Sequence, residues 1–401
     1  MNRFGINIIS TFGKEYSLTF VARSLADSLQ KKGVPISLLS IKTNEQKKRA
    51  ESKLDAFMVS RVEELEHPVN LYVLPLTLLD SLMVQQPALR AKGKLHVVNL
   101  WAEFNRIPIR FAGELIRHDV ILTNSAFLAS VAAADIPGTH VIHSPLSWPI
   151  DTGLAPNRGR FDLPVAGTVF LFTFDADSEV YSLDQSTGKG RKNPFEFIEA
   201  FQRAFPRGES GAHLAIRATN IDKPEHAAFL RKLLGIAEAD RRVHLIRGEM
   251  TFQDVMALTA SCDVYVSLHR AEGLGLGMLE AMALGKPVIA TAWSGNMSFM
   301  DLSSACLVRS RLVALSQDYR YCGEPMPPGT VWAEPIQEDA VAYMRLLHQD
   351  AGFRASLGRR ARLKYEAHQR SAAEERWIDE LFVYCRLFNR LPRVVGKYST
   401  A

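Results

Sequence analysis

Apolar residues in the first half of the chain fall into short runs separated by amphipathic stretches. Phe4 to Ser10 reads as a strand, Leu18 to Lys32 as an amphipathic helix closed by Gly33, and Pro35 to Ile41 as a second strand. Asn70 to Pro75, Leu95 to Leu100, Val120 to Asn124 and His140 to His143 continue the apolar runs. Runs of this kind alternating with helices predict a parallel sheet. Between Ser144 and Val165 the periodicity lapses into Pro149, Gly153, Pro156, Gly159 and Pro164, which marks a linker.

The alternation then restarts. Strands are predicted at Thr168 to Phe174, His213 to Ala218, Val243 to Arg247, Asp263 to Leu268 and Val288 to Thr291. Helices fall at about Pro194 to Phe205, Pro224 to Leu234 and Phe252 to Ser261, and a last helical stretch covers Glu374 to Arg390. The expected organisation is a first domain over 1–150, a linker over 151–166, a second domain over 167–370, and a C-terminal helix in 371–401 that packs back toward the first domain. The fold class is α/β: two doubly wound, Rossmann-like domains facing across a cleft, with the ligand at the carboxyl ends of the strands.

Composition leaves this picture intact. The 401 residues suffice for two cores, and 47% hydrophobic with 23% charged residues is ordinary for a globular protein. No apolar run reaches the roughly 18 residues of a spanning helix, and the N-terminus lacks signal-peptide order, so a cytoplasmic chain is expected. Cys262, Cys306, Cys322 and Cys385 are scattered, which suggests neither a disulfide framework nor a zinc site. The net charge of +5 is mild, and no nucleic-acid partner is expected. Lys42, Lys47, Lys48, Arg49 and Lys53 cluster near the N-terminus, and Arg386, Arg390, Arg393 and Lys397 near the C-terminus. Either cluster is a solvated helix face, a contact with a charged acceptor, or a peripheral contact with the inner face of a membrane.

The segment richest in chemistry runs Arg270-Ala-Glu-Gly-Leu-Gly-Leu-Gly-Met-Leu-Glu280, between a short strand and a helix that Gly285 ends. Gly273, Leu274, Gly275 and Gly277 form a turn whose backbone can approach an anion at the helix N-terminus, such as a diphosphate. Glu272 in the turn and Glu280 on the helix suit sugar or ribose hydroxyls, which donate to carboxylates. The competing explanation is an acidic first turn serving the helix dipole, with glycines for packing.

Gly190-Arg-Lys-Asn-Pro194 opens another helix. Arg191 and Lys192 there oppose the helix dipole unless an anion lies between them, which points to phosphate; two solvated cations are the alternative. Ser182 to Gly190 reads as a flexible insertion. Asp175-Ala-Asp177 has the spacing of a metal-binding Asp-x-Asp pair, although turn-forming aspartates belong at a strand end, and no metal is assigned. The loop Thr11 to Ser17 holds only Gly13, so the G-x-G-x-x-G fingerprint is missing and a nicotinamide cofactor is not expected. Trp101 and Glu103 follow a strand end and could stack on and hydrogen-bond an acceptor sugar. His118, His143 and His269 are acid-base candidates without assigned chemistry, or structural histidines.

Ser267 to Thr291 resembles the donor-site signature of the retaining GT-B fold glycosyltransferases of group 1, which build bacterial surface polysaccharides. Phe174-Asp, Arg191-Lys-Asn-Pro194, Trp293-Ser-Gly-Asn296 with Phe299-Met300, and Trp332-Ala-Glu-Pro335 agree, the last being frequent in one bacterial branch. The first domain matches through Trp101 to Pro108 and Asn124-Ser-Ala-Phe127. The resemblance implies that Glu280 binds the ribose, Glu272 touches the donor sugar, and Arg191 with Lys192 neutralises the diphosphate. It implies metal-independent transfer from a nucleotide-sugar donor to a glycan or lipid-linked acceptor, with no cofactor, and the branch points to mannose from a guanine nucleotide. A glycosidase is excluded because its carboxylates flank a sugar rather than a phosphate-type loop. An epimerase or phosphorylase of the same fold, and a non-catalytic nucleotide-binding partner of an active transferase, remain alternatives.

Overall fold

A computed structural model describes residues 5–13, 17–41, 53–90, 93–184, 187–206 and 211–387. Most of both basic clusters and part of the loop after the first strand lie outside these residues. Of the two clusters, only Lys53, paired with Asp27 at 3.0 Å, and Arg386, exposed on the last helix, are described. The chain divides into two compact units: Met1–Ala102, Ile107–Trp148 and Gln369–Ala401 in one, Glu103–Arg106 and Pro149–His368 in the other.

The first unit runs β1 (Ile6–Ser10), α1 (Ser17–Lys31), β2 (Ile36–Ser40), β3 (Met58–Val59), β4 (Val69–Tyr72), α2 (Leu76–Gln85), β5 (Leu95–Asn99), α3 (Ile109–Leu115), β6 (Val120–Thr123), α4 (Ala126–Asp135) and β7 (His140–His143). All seven strands pair in parallel, in the order β3-β2-β1-β4-β5-β6-β7. Helix α1 forms because Leu18, Val21, Ala22, Leu25, Ala26 and Leu29 repeat at helical spacing and bury one face. The core gathers Ile9, Tyr72, Val98 and Ile121 from the strands with Leu79, Phe111 and Leu128 from the helices.

The second unit contains β8 (Thr168–Asp175), α5 (Ala176–Val180), α6 (Pro194–Ala204), β9 (Ala212–Thr219), α7 (Ala227–Ala239), β10 (Val243–Ile246), α8 (Phe252–Ser261), β11 (Val264–Ser267), α9 (Leu276–Ala283), β12 (Val288–Thr291) and β13 (Cys306–Val308). Its parallel sheet has the order β10-β9-β8-β11-β12-β13. That is the doubly wound order, in which the chain reverses direction across the sheet between β8 and β11. Both halves therefore carry the parallel α/β sheets that the apolar runs predict.

Two features escape the periodicity. Strands β14 (Ser310–Ala314), β15 (Arg320–Tyr321), β16 (Glu324–Pro325) and β17 (Val331–Pro335) make two small antiparallel ladders, β14 with β17 and β15 with β16. The four residues Glu103–Arg106, embedded in the first half of the chain, are built into this part of the second unit. Phe104 clusters with Ala271, Tyr319 and Trp332, and the Asn105 side chain accepts from the Val331 N–H at 2.8 Å. Helices α10 (Gln337–Gln349) and α11 (Ala351–Ala373) follow, and α12 (Arg376–Leu387) returns to the first unit, where Tyr384 stacks on His140 of β7 at 4.6 Å. Among the described residues no helix is long and apolar enough to cross a membrane.

Helix α11 meets the turn after α9 at Gly358, where a Cβ would stand 2.2 Å from the Gly285 carbonyl oxygen. In an open helix Gly→Ala stabilises by roughly 1 kcal/mol. At Gly358 the backbone clash reverses the sign, and Gly358→Ala should lose about 1–3 kcal/mol. Urea denaturation checks this; a midpoint raised by the substitution would mean that the helix and turn do not touch as described.

Candidate functional site

The candidate residues come together where the doubly wound order puts a ligand, at the carboxyl ends of β8 and β11 on either side of the reversal. The loop after β8 ends in Gly190 to Asn193, and the loop after β11 spans 268–275. Arg270 joins them. Its side chain is 1% exposed, its Nη1 donates to the Gly190 carbonyl at 2.8 Å, and its backbone N–H donates to the Arg191 carbonyl at 2.7 Å. Its Nη2 pairs with Glu334 of β17 at 2.8 Å and with Glu196 of α6 at 2.6 Å, and the guanidinium lies over the Trp332 ring. Lys189 bonds the same two carboxylates at 3.0 Å. Trp332-Ala-Glu-Pro335 is thus a buttress for this arginine.

Asn193 takes a left-handed conformation (φ 61, ψ 46), which lets the chain turn into α6 with Pro194 at its first position. The Asn193 side chain donates to the Leu268 carbonyl at 2.8 Å, a second tie between the loops. The dipole conflict of Arg191 and Lys192 is answered by a protein carboxylate that the sequence patterns do not single out. Glu179 of α5 is buried and accepts from the Lys192 N–H at 2.7 Å and the Asn193 N–H at 3.2 Å. A Cβ on Gly190 would stand 2.4 Å from that carboxylate, so a side chain there would displace Glu179.

With the backbone of the turn occupied, the Arg191 and Lys192 side chains converge on Glu272. Lys192 Nζ lies 2.5 Å and Arg191 Nη1 3.8 Å from Glu272 Oε2. Burial alone would raise the Glu272 pKa, but Lys192, then Arg191, more than offset it and hold the carboxyl down to about 2. The other side of Arg191 faces Glu103, whose Oε1 is 3.2 Å from Nη2.

The glycine turn leads into α9. Gly275 is its N-cap with φ 95, and Gly295 approaches so closely that a Cβ there would fall 2.0 Å from the Gly273 carbonyl oxygen. Gly295 also donates its N–H to the Glu272 carbonyl at 3.1 Å, which explains the Ser294-Gly295 step in chemical terms. Leu274 is fully buried. Helix geometry leaves the N–H groups of Leu276 and Gly277 without acceptors one turn back. Glu280, on the second turn of α9, is buried within electrostatic reach of Arg217, Tyr265 and Tyr365.

The remaining candidates are held mainly by other partners. Asp175 N-caps α5 and accepts from the Asn220 side chain at 2.9 Å. Asp177 pairs with Lys223 at 2.7 Å and His226 at 2.6 Å. Asp177, Glu225 and His226 bring potential metal ligands within 4.8 Å of one another, but the Lys223 ammonium already neutralises Asp177. His269 is fully buried between Ser267 Oγ (3.0 Å) and the Trp293 carbonyl (3.1 Å), and burial lowers its pKa. To donate to that carbonyl it carries its proton on Nε2, the pattern of a structural histidine. His118 is buried in the first unit, its Nδ1 against the Glu114 carbonyl at 3.1 Å, with its pKa pushed down to about 4 by burial. His143 ends β7 beside Thr123 Oγ1 at 3.4 Å. Trp101 belongs to the first unit and donates to Asn99 Oδ1 at 2.7 Å, whereas Glu103 belongs to the second. The described ends of the Ser182 to Gly190 segment are tied down rather than loose: Asp184 donates to the Lys189 carbonyl at 2.8 Å, and Tyr319 donates to the Ser182 carbonyl at 3.0 Å.

Two parallel-sheet Rossmann-like domains, one with paired loops at its reversal point, define a protein of the GT-B class. Residues 186–302 match the family described as "Glycosyl transferases group 1". It is similar to WcaL of Escherichia coli (strain K12), a protein named for colanic acid biosynthesis, at 28% identity over 153 residues, 31% of this chain and 38% of WcaL. The match to WcaL of Salmonella typhimurium is also 28%, over 27% of this chain and 31% of that protein. The matched region is thus less than half the length of either relative. Among solved structures, sucrose-phosphate synthase from Thermosynechococcus elongatus superimposes with a TM-score of 0.64 at 16% identity, covering 96% of this chain and 100% of that one. Anabaena HepE, solved in complex with UDP and glucose, gives a TM-score of 0.59 at 14% identity with the same coverage. A glycosyltransferase from Rickettsia africae gives 0.64 at 10% identity, over 97% and 99%. These likenesses are of fold.

The Glu272 pairing has a pH signature. Its folded-state pKa lies below its ordinary value of 4.5, so its contribution to stability is complete above that value and is lost as pH falls toward 2. Lys192→Ala removes the nearest cation and lets Glu272 take up a proton at higher pH. The difference in unfolding free energy between wild type and variant should be largest above about pH 5 and shrink toward zero near pH 2. Denaturant titrations across that window measure it, and a difference independent of pH would sink the pairing.

Proposed function

We propose that this protein is a retaining glycosyltransferase. It moves a hexose from a nucleoside diphosphate sugar to a hydroxyl of a glycan or lipid-linked acceptor in polysaccharide or lipopolysaccharide synthesis. The observation that carries the proposal is the convergence of Lys192 and Arg191 on Glu272, in the glycine turn that leads into α9. Two fixed cations beside unpaired helix N–H groups suit a diphosphate. The family match over these residues and the polysaccharide name of the WcaL relatives support the same reading.

As the bond between the anomeric carbon and the diphosphate lengthens, negative charge grows on the leaving phosphate. Lys192, Arg191 and the N–H groups from Leu274 onward stabilise that charge more than the resting donor. Glu272, displaced from the two cations by the diphosphate, is placed to accept from a donor-sugar hydroxyl. Glu280 accepts from the ribose. The acceptor oxygen attacks from the face the diphosphate leaves, and its proton passes to the departing phosphate oxygen, so no protein nucleophile is needed. The positive charge comes from side chains, which makes the transfer independent of metal. We assign the acceptor side to Trp101, at the carboxyl end of β5, whose ring can stack on a sugar. The donor we favour is a guanine nucleotide of mannose, and the UDP bound by HepE makes uridine nucleotides its first rival. A peripheral position on the inner membrane face fits the two basic clusters.

Calorimetry with GDP and UDP tests the donor site. Glu280→Ala should weaken the preferred nucleotide by roughly 1–3 kcal/mol, the cost of unmade buried hydrogen bonds, without unfolding the protein. Unchanged affinity would reject the ribose role. For the leaving group, Lys192→Ala should lower turnover on the order of 100- to 1,000-fold with a smaller loss in donor binding. Wild-type turnover should survive EDTA; loss on chelation that manganese restores would move the chemistry to a metal.

A further inference from the structure

Arg191 is buried, yet few hydrogen bonds hold it. Among the described residues its Nε is buried without a hydrogen-bond partner, and the hydrogen bond of Nη1 is to the Ala271 carbonyl, at 3.5 Å. Its position therefore depends on its carboxylates, of which Glu103 at 3.2 Å is nearer than Glu272 at 3.8 Å. Glu103 is itself held. The Tyr321 hydroxyl donates to its Oε2, Phe104 is buried against Tyr319 and Trp332, and the flanking Asn105 and Arg106 side chains donate to the carbonyls of Gly329 (3.2 Å) and Pro328 (3.0 Å). Burial keeps the Tyr321 phenol protonated, so it remains a donor. Two cations, Arg191 and Lys192, thus face two carboxylates, Glu103 and Glu272.

We propose that Glu103 is a positioning residue of the donor diphosphate site: it fixes the Arg191 guanidinium and masks its charge until a diphosphate competes for it. The proposal rests on Arg191 and Lys192 binding the diphosphate. It moves Glu103 from the acceptor to the leaving group and gives Tyr321 a role as its anchor. The cost of the mask is weaker ground-state binding, and the gain is a guanidinium already oriented when charge develops.

Two effects of opposite sign follow for Glu103→Gln, which keeps the shape and removes the charge. Affinity for inorganic pyrophosphate and for UDP or GDP, measured by calorimetry at low ionic strength, should rise about tenfold, an advantage that added salt reduces. Turnover at saturating donor should fall about 10- to 100-fold because the guanidinium is no longer held. Tyr321→Phe keeps the charge, so pyrophosphate affinity should hold while turnover drops by less than in Glu103→Gln. An acceptor residue would instead raise the acceptor KM and leave pyrophosphate affinity alone, and a purely structural residue would weaken both binding and melting temperature; either result overturns the proposal. If wild type binds pyrophosphate and Lys192→Ala weakens it while Glu103→Gln does not change it, only the role of Glu103 falls. If wild type binds neither pyrophosphate nor nucleotide, the donor site falls with it. Should Glu103→Gln fail to fold, Tyr321→Phe decides, and unchanged turnover in that variant rejects the proposal.

Discussion

A single buried guanidinium, that of Arg270, organises the site. A charge with 1% exposure is stable only if it is paired and its remaining donors are satisfied, and Glu334, Glu196 and the Gly190 carbonyl meet that demand. The consequence is geometric. Glu334 lies on β17, Glu196 on α6 and Gly190 in the loop after β8, so the ion pairs draw three separate elements to one point. The Arg270 backbone adds a hydrogen bond to Arg191 on one side and accepts from Ala333 on the other. Loops this short gain precision from such ties, since each removes freedom that a side chain aimed at a ligand would otherwise have.

Around that fixed point the site balances its own charge. Glu179 takes the turn's backbone N–H groups, leaving the Arg191 and Lys192 side chains to face Glu272 and Glu103. Carboxylates set against cations keep both charged in a partly buried place, where either alone would be costly. Under the proposed function such a site is poised for exchange: an incoming diphosphate would replace protein carboxylates on cations that are already desolvated and oriented. The carboxylate it would free, Glu272, would then be available to a hydroxyl, so that one displacement would serve two recognition steps.

The sheets are legible in the sequence because their central strands are buried on both faces. β8 runs Thr-Val-Phe-Leu-Phe-Thr-Phe-Asp between β9 and β11, and apolar runs of that kind have few alternatives. The glycine turn and the basic pair are legible because glycines and cations at helix starts are unusual enough to demand a reason. The ladders of β14 to β17 are not legible, since β14 is largely exposed and β15 and β16 have two residues each, too few for a period to register. Glu179 lacks a local signal, because it acts on the backbone of a later turn, and Glu334 is visible only as part of the Trp332-Ala-Glu-Pro335 pattern, which does not reveal its pairing with Arg270. Glu103 is visible as a polar residue at a strand end, but its partner Arg191 is settled by Phe104 entering the Tyr319 and Trp332 cluster, a packing event that no spacing encodes.

Backbone conformation shows how much of the second unit is shaped around this one place. Asn193 (φ 61), Gly275 (φ 95) and Ser294 (φ 75, ψ −140) all adopt positive φ, one in each of the three segments that converge there. For Ser294 that conformation is disfavoured by on the order of 1–3 kcal/mol, and it persists only where surroundings over-determine it. Here they do: the step through Ser294 lets Gly295 press against the Gly273 carbonyl and donate to Glu272, so the strained residue sets the height of the turn that carries the carboxylate. Relaxing it would move Glu272 relative to Lys192. The local strain and the short ion pair are therefore two parts of one constraint, with the rigid β11 and β12 strands as its base.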